Sequence, residues 1–285
     1  MSTLDSVVTS ELKIRRLGAG DLEACLALAA DRDWGREDRK WLLLLQHGEG
    51  YGIDDPLGGL AGTVVLTRFA DTAVAVSMML VAARYARQGL GRRLMSHAIA
   101  QSGDAVIFLY ATEQGRPLYE KLGFETAAVA EARWGRFQPD GLPPRSRLAG
   151  PGDLPAMLHL DLEVFGADRA FLVEKLLTFA DEVRVVEEGG RITGYAAAWP
   201  NMDTTVVGPV VARDAGGARA LIADLAGRTD GPMRVELDRD RPEMIDWIAG
   251  RGVPQAFSTS FMVHGGRPMP GDRTRLFAPF MVALG

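Results

Sequence analysis

The chain has 285 residues, of which 47% are hydrophobic and 24% are charged, a composition typical of a soluble globular protein with room for two domains. Its 32 basic and 37 acidic residues give a net charge of −5, which argues against a dedicated nucleic-acid-binding protein. The single cysteine, Cys25, excludes an intrachain disulfide, and its apolar neighbours favour a buried thiol over a nucleophile. The sequence shows neither a signal peptide nor an apolar run long enough to span a membrane, so we expect a cytoplasmic protein without a membrane partner.

The first half of the chain predicts alternating strands and helices after a flexible leader that ends near Glu11. Strands are predicted from alternating or β-branched apolar runs at residues 12–17, 51–54, 62–69, 73–81, 106–111 and 125–133. Helices are predicted from apolar residues at helical spacing at residues 22–30, 34–46, 91–100 and 116–122. The pattern therefore predicts an α/β fold with a mixed sheet.

A turn rich in glycine and arginine joins the strand 73–81 to the helix 91–100. It contains Arg84, Arg87, Gln88, Gly89, Leu90, Gly91, Arg92 and Arg93. The free N–H groups and the dipole of a helix N-terminus favour an anion, and glycines let the backbone approach a phosphate closely. The turn therefore predicts a site for a small polyanion.

Other interpretations of these glycines are weaker, and one stays open. A dinucleotide-binding fingerprint requires a third glycine where the chain has Leu94, and a P-loop requires Lys and Ser or Thr after Gly91, where the chain has two arginines. The glycines could also serve only a tight turn between strand and helix.

A second motif gives the turn a more specific meaning. Tyr119-Glu120-Lys121-Leu122-Gly123-Phe124 follows the strand 106–111. The two motifs at this separation resemble those of the GCN5-related N-acetyltransferase (GNAT) family. That family binds the pyrophosphate of acetyl-CoA on a Gly-x-Gly/Ala loop that opens a helix. Where the family usually carries Gln or Arg, three residues before the first loop glycine, this chain has Ala86.

The resemblance implies an N-acetyltransferase that transfers an acetyl group directly from acetyl-CoA to a small-molecule amine. It implies that Tyr119 donates a proton to the leaving thiol. The implied acetyl-CoA contacts are Leu80, Val81, Arg87, Gln88, Gly89, Leu90, Gly91 and Arg92. A non-catalytic acyl-CoA sensor and acyl transfer to a hydroxyl remain alternatives.

The general base and the acceptor site are less defined by the sequence. Glu113 follows the fifth strand and is the catalytic candidate, while carboxylates near residues 31–37 and a water chain remain possible. Trp34 and Trp134 are candidates for an apolar or cationic acceptor pocket, although the pattern favours core packing for each of them. The four histidines lack metal-ligand spacing, so no metal is predicted.

The second half repeats the first. Residues 20–28 (GDLEACLAL) match residues 152–160 (GDLPAMLHL), which indicates a duplicated domain unless two capped helices are alike by chance. We therefore predict a first domain at 1–137, a linker at 138–144 and a second domain at 145–285. The second copy is degenerate, because the turn at 212–217 has a single arginine, Arg213, and contains Asp214, whose carboxylate would repel a pyrophosphate. It also has no tyrosine before Gly252.

Strands of the second half are predicted at 192–199, 204–211, 233–237, 257–263 and 276–284, the last two closing the second domain, and helices at 218–226 and 242–249. Two fused copies can replace the dimer that single-domain relatives form, so a monomer or a homodimer is expected.

Overall fold

The computed structural model describes residues 12–285, and the predicted leader up to Glu11 lies outside them. The strands are β1 (Ile14–Leu17), β2 (Glu49–Asp54), β3 (Leu60–Phe69), β4 (Ala73–Val81), β5 (Val106–Ala111), β6 (Phe124–Gly135), β7 (Arg147–Leu148), β8 (Glu182–Glu188), β9 (Arg191–Asn201), β10 (Thr204–Ala212), β11 (Met233–Asp238), β12 (Gln255–His264) and β13 (Leu276–Ala278). The helices are α1 (Leu22–Asp31), α2 (Asp38–His47), α3 (Leu90–Gln101), α4 (Arg116–Glu120), α5 (Leu154–Phe165), α6 (Ala170–Phe179), α7 (Ala215–Ala226) and α8 (Pro242–Gly250).

All of these strands belong to one mixed sheet. The order along it is β1-β2-β3-β4-β5-β12-β6-β11-β10-β9-β8-β7, and β13 pairs with β10 outside this path. Two pairs of neighbours are parallel, β4 with β5 in the first half and β10 with β11 in the second. The mixed sheet flanked by helices confirms the predicted α/β class, but the sheets expected for the two domains form one continuous sheet.

The two halves exchange their last long strands at the centre of the sheet. Strand β12 of the second half lies between β5 and β6, and β6 of the first half lies between β12 and β11. The prediction that residues 257–263 close the second domain is therefore wrong, because backbone hydrogen bonds at a sheet edge accept any strand of suitable direction. The domain division at 138–144 stays a prediction, although those residues form no helix or strand.

The final predicted strand is also shorter than expected. Of residues 276–284, only Leu276–Ala278 forms a strand, and it pairs antiparallel with β10. Pro279 follows directly, and a proline cannot donate the hydrogen bond that would continue a ladder.

Three apolar clusters hold the helices against the sheet. One face carries α1, α2, α5 and α6 in a core shared by both halves, with Trp41 and Leu44 essentially inaccessible to solvent. The opposite face carries α3 and α4 in the first half and α7 and α8 in the second. Cys25 is fully buried in the shared core, and burial raises the pKa of its thiol to about 12, which agrees with an unreactive cysteine.

Candidate active site

A bulge in β4 lies beside an opening of the sheet between β4 and β5. Thr63 pairs with Leu80 and Val65 with Ser77, so β4 contains one more residue than β3 across this interval. Met78 takes up the extra length with a left-handed backbone (φ +48°), and Thr63 Oγ1 donates a hydrogen bond to its carbonyl oxygen at 2.8 Å. The buried hydroxyl therefore supports a strained backbone position.

Strands β4 and β5 diverge beyond this bulge. They pair only from Ala73 to Ala75 of β4, so residues 76–81 have no strand partner on that side within the described chain. The divergence leaves a cleft of about 820 Å³. Its walls include β4 residues 76–81, the turn before α3, the end of β5 and α4.

The N-terminus of α3 forms one end of this cleft. Gly89 has a left-handed backbone (φ +90°) and precedes the first helical residue, Leu90. The N–H groups of Leu90, Gly91 and Arg92 therefore have no acceptor within the helix. A Cβ at Gly91 would lie 3.3 Å from Leu118 Cδ2 and narrow the cleft between them. The backbone here thus offers several donors to an anion.

The arginines of this turn have different roles. Arg84 forms an ion pair with the buried carboxylate of Asp55, which also accepts a hydrogen bond from the Tyr85 hydroxyl at 3.2 Å. Arg84 therefore holds the turn in place. Arg87 and Arg92 are exposed at the cleft and form no ion pair within the described residues. They are the arginines of this turn that are available to a bound polyanion, and Arg32 and Lys121 also line the cleft.

Tyr119 lies on α4 with its ring buried in the cleft wall. Its ring packs edge-on against Phe124 at 6.0 Å, and Gly115 leaves room for it, since a Cβ there would lie 3.1 Å from Tyr119 Cε2. Burial raises the pKa of the Tyr119 phenol to about 12. The hydroxyl is therefore protonated at neutral pH and has no hydrogen-bond partner among residues 12–285.

The structure brings together most of the residues predicted for the site. The cleft is lined by Trp34, Leu80, Val81, Arg87, Gly89, Leu90, Gly91, Arg92 and Tyr119. Three predicted residues lie elsewhere. Gln88 turns back to donate to the Arg84 carbonyl oxygen at 2.9 Å, and Glu113 is exposed outside the cleft. Trp134 lies on β6 opposite Arg234 of β11 and does not line the cleft.

Two of the carboxylates near residues 31–37 have structural contacts instead. Asp31 Oδ2 accepts the backbone N–H of Ala83 at 2.6 Å and so fixes the turn after β4. Glu37 is buried, pairs with Lys40, and accepts a hydrogen bond from Asn201 Nδ2 of the second half at 2.8 Å. No Asp, Glu or His of the described chain lines the cleft.

Sequence analysis missed Ser77 and Tyr110 in this cleft. The Ser77 hydroxyl is buried without a hydrogen-bond partner among the described residues. Tyr110 alternates with Leu109 along β5, which places its ring on the opposite face of the sheet from Tyr119. The alternation was readable from the sequence, but the bulge at Met78 was not, since methionine does not favour a left-handed backbone.

The second half closes the equivalent opening with its own residues. Asp214 caps α7, and its Oδ1 accepts the N–H of Gly217 at 3.0 Å, so a carboxylate occupies the position where the first half presents free donors. Strand β13 pairs with β10 at Val210 and Val211 and covers the edge that stays open on β4. Both features fit the prediction of a degenerate second copy.

Residues 12–285 contain no group of three or more His, Cys, Asp or Glu side chains that could hold a metal ion. None of the helices in this range is both long and apolar enough to cross a membrane.

Comparisons with known proteins agree with this architecture. Two family models, each described as an acetyltransferase (GNAT) domain, match residues 46–126 and 157–278. The chain is 28% identical over 284 residues to an uncharacterized N-acetyltransferase, YitH, of Bacillus subtilis, covering 98% of this chain and 99% of the relative.

Solved structures share the fold at low sequence identity. A putative acetyltransferase from Pyrococcus horikoshii has a TM-score of 0.80 at 16% identity, covering 96% of each chain. A tandem GNAT protein from the clavulanic acid biosynthesis pathway has a TM-score of 0.64 at 15% identity, covering 90% of this chain and all of that one. The chain therefore belongs to the GNAT acetyltransferase family and is an acyltransferase of the tandem type.

Proposed function

We propose that the first half binds acetyl-CoA in the cleft between β4 and β5 and transfers the acetyl group to the amine of a small molecule. One observation carries the proposal. A single cleft joins an unpaired strand edge, a helix N-terminus with free donors and a protonated tyrosine. The strand edge suits an amide-containing arm, the helix N-terminus suits a pyrophosphate, and the tyrosine suits a leaving thiol.

The residues of the cleft fit the cosubstrate. The open edge of β4 at Leu80 and Val81 offers backbone groups to the amides of a pantetheine arm and to the thioester carbonyl oxygen. The free N–H groups of Leu90, Gly91 and Arg92 suit a pyrophosphate, and the side chains of Arg87 and Arg92 line the same cleft. Acetyl-CoA supplies an activated acyl group when it is bound.

Tyr119 supplies the proton in the transfer. The amine nitrogen forms a bond to the thioester carbon as the carbon–sulfur bond breaks. The departing sulfur takes the proton of Tyr119, and the proton that the nitrogen loses as it becomes an amide passes to water, which reprotonates Tyr119. A thiol has a pKa of about 8.5, so a neighbouring phenol that is protonated at neutral pH can supply that proton. The raised pKa of Tyr119 keeps its hydroxyl in the donor form.

The acceptor amine must lose its proton before it attacks, since an alkyl ammonium has a pKa of about 10.4. Because no Asp, Glu or His of the described residues lines the cleft, we infer that water accepts this proton. The same observation would suit a sensor that holds acyl-CoA without turnover. Release of free thiol in an amine panel, and its loss in Tyr119→Phe, separates the two functions.

Isothermal titration with acetyl-CoA tests the binding site. Gly89→Glu adds a side chain and a negative charge at a left-handed position beside the expected pyrophosphate, so the affinity should fall at least about 100-fold. Gly103→Glu is a matched control, because Gly103 is also left-handed (φ +60°) with open space around it but lies beyond the other end of α3. Equal affinity of the two variants for acetyl-CoA would show that the turn is not part of the binding site.

A further inference from the structure

A second cavity adjoins the cleft on the other face of the sheet. It has a volume of about 410 Å³ and lies against β6, β11 and β12 beneath the segment 266–279. Tyr110 lines both this cavity and the cleft. Tyr110 therefore borders both spaces near the end of β5, close to the place where the transfer would occur.

Most of the cavity wall is apolar and comes from both halves of the chain. It includes alanines of β6 and the rings of Phe261 and Phe277 from the second half. The exchange of β6 and β12 creates this wall, because it places second-half residues directly beside β5 of the first half. Such a surface suits the apolar body of a small molecule.

Arg273 is the charged residue that stands out within this cavity. Its guanidinium lies 5.0 Å from the ring centroid of Phe261 and 5.6 Å from that of Phe165. Its Nη1 atom is inaccessible to solvent and has no hydrogen-bond partner among the described residues. Burial lowers the pKa of this guanidinium, while the neighbouring Tyr110 and Asp238 only partly offset the effect.

The other charged side chains of the cavity already form ion pairs or hydrogen bonds. Glu236 pairs with Arg234 at 2.5 Å, and Asp238 Oδ1 accepts the N–H of Asp240 at 3.0 Å. Arg267 donates to the carbonyl oxygen of Asp104 at 2.7 Å. Arg273 is thus the charged lining residue with a buried N–H donor that forms no hydrogen bond within the described residues. Such a donor is unfavourable in free energy until an acceptor binds it.

We propose that the acceptor amine carries a carboxylate, and that Arg273 binds this carboxylate in the second cavity while the amine reaches past Tyr110 into the cleft. The proposal rests on the proposed acetyl transfer in the first half. It assigns the second half a direct part in substrate choice, since Arg273, Phe261 and Phe277 all belong to it. The acceptor class is then a small amino acid with an apolar body.

The experiment compares matched amines at a fixed acetyl-CoA concentration. The probes are glycine, 4-aminobutyrate, 6-aminohexanoate, leucine and phenylalanine, each beside its carboxamide, with release of free thiol as the readout. At least one carboxylate should exceed its carboxamide tenfold or more in kcat/KM. Arg273→Gln should reduce that preference to about onefold by lowering the rate with the carboxylate and not with the carboxamide.

The control variant is Arg275→Gln. Arg275 belongs to the same short turn as Arg273 but pairs with Glu163 and does not line this cavity. It should keep the full preference for the carboxylate. Unchanged acetyl-CoA affinity by titration in all three proteins would show that folding and the cosubstrate site are intact.

Two results would overturn this assignment while acetyl transfer stands. One is turnover of carboxamides at the rate of their carboxylates, and the other is a carboxylate preference that survives in Arg273→Gln. Absence of turnover for every carboxylate, with acetyl-CoA bound, also counts against it. Absence of acetyl-CoA binding would instead reject the function on which the assignment rests.

Discussion

The Thr63 hydroxyl of β3 donates a hydrogen bond to the Met78 carbonyl oxygen at 2.8 Å, at the bulge of β4 beyond which β4 and β5 diverge. Both residues are buried. Met78 has a left-handed backbone, which costs a non-glycine residue about 1–2 kcal/mol. This contact therefore links one side chain of β3 to the opening on which the whole cleft depends.

Thr63→Val should weaken both the fold and the site. Loss of the hydroxyl removes a buried hydrogen bond and lowers the free energy of unfolding by about 1 kcal/mol. We also expect the bulge to shift. A resulting loss of ~1.4 kcal/mol in the free energy of binding would raise the acetyl-CoA dissociation constant about tenfold. Chemical denaturation and isothermal titration measure the two effects.

Thr67→Val is the matched control for this prediction. Thr67 lies on the same strand and is equally buried, but its hydroxyl has no hydrogen-bond partner among the described residues. Its replacement should leave stability unchanged or higher and binding unchanged. If both variants lose acetyl-CoA affinity equally, the contact between Thr63 and Met78 does not determine the shape of the cleft.

Tyr119→Phe should lower kcat by about 10²-fold, at the low end of the range for a general acid, without changing the affinity for acetyl-CoA. The pKa of Tyr119 is raised to about 12, and a phenol stays protonated below its pKa. The wild-type rate should therefore rise as the amine loses its proton and show no decline up to pH 10. A decline between pH 8 and 9 that disappears in Tyr119→Phe would contradict this role.

Each charge of the buried pair of Glu37 and Lys40 should be destabilising without the other. Burial alone would raise the pKa of Glu37, but attraction to Lys40 and the bond from Asn201 lower it. Lys40→Met leaves a buried carboxylate unpaired and should cost about 3–5 kcal/mol of unfolding free energy. Adding Glu37→Gln should recover most of this loss, because the charge is then absent. A double variant as unstable as Lys40→Met would refute this explanation, with thermal or chemical denaturation as the measurement.

The strand exchange predicts that the halves depend on each other. Expressed alone, residues 1–144 lack β12 and would expose the facing edges of β5 and β6. This fragment should aggregate or remain unfolded, and co-expression with 145–285 should restore a complex that elutes like the full chain. A fragment 1–144 that unfolds cooperatively as a monomer and binds acetyl-CoA would show that the exchange is dispensable.

Local chemistry explains which parts of the site could be predicted from the sequence. Gly89, Gly91 and Tyr119 lie in the cleft because the order of strand, turn and helix at this spacing fixes their relative positions. The same reasoning places Asp214 at the start of α7, where it caps the helix. Boundaries were less accurate, since α2 begins at Asp38 and not at residue 34.

The remaining features depend on long-range pairing. Nothing in the pattern of residues 255–264 indicates that they pair with β5 of the other half, so the second cavity and Arg273 could not be predicted. Trp134 was a reasonable pocket candidate only if β6 bordered the cleft, and β12 lies between them. Glu113 follows β5 as expected, but its side chain is exposed.

A crystal structure of the full chain with coenzyme A tests the central claim most directly. We expect one molecule per chain, its diphosphate at the N–H groups of Leu90, Gly91 and Arg92, its arm along the open edge of β4, and its sulfur beside the Tyr119 hydroxyl. Coenzyme A bound at β10 of the second half, or at a site that leaves the β4 edge empty, would contradict the account.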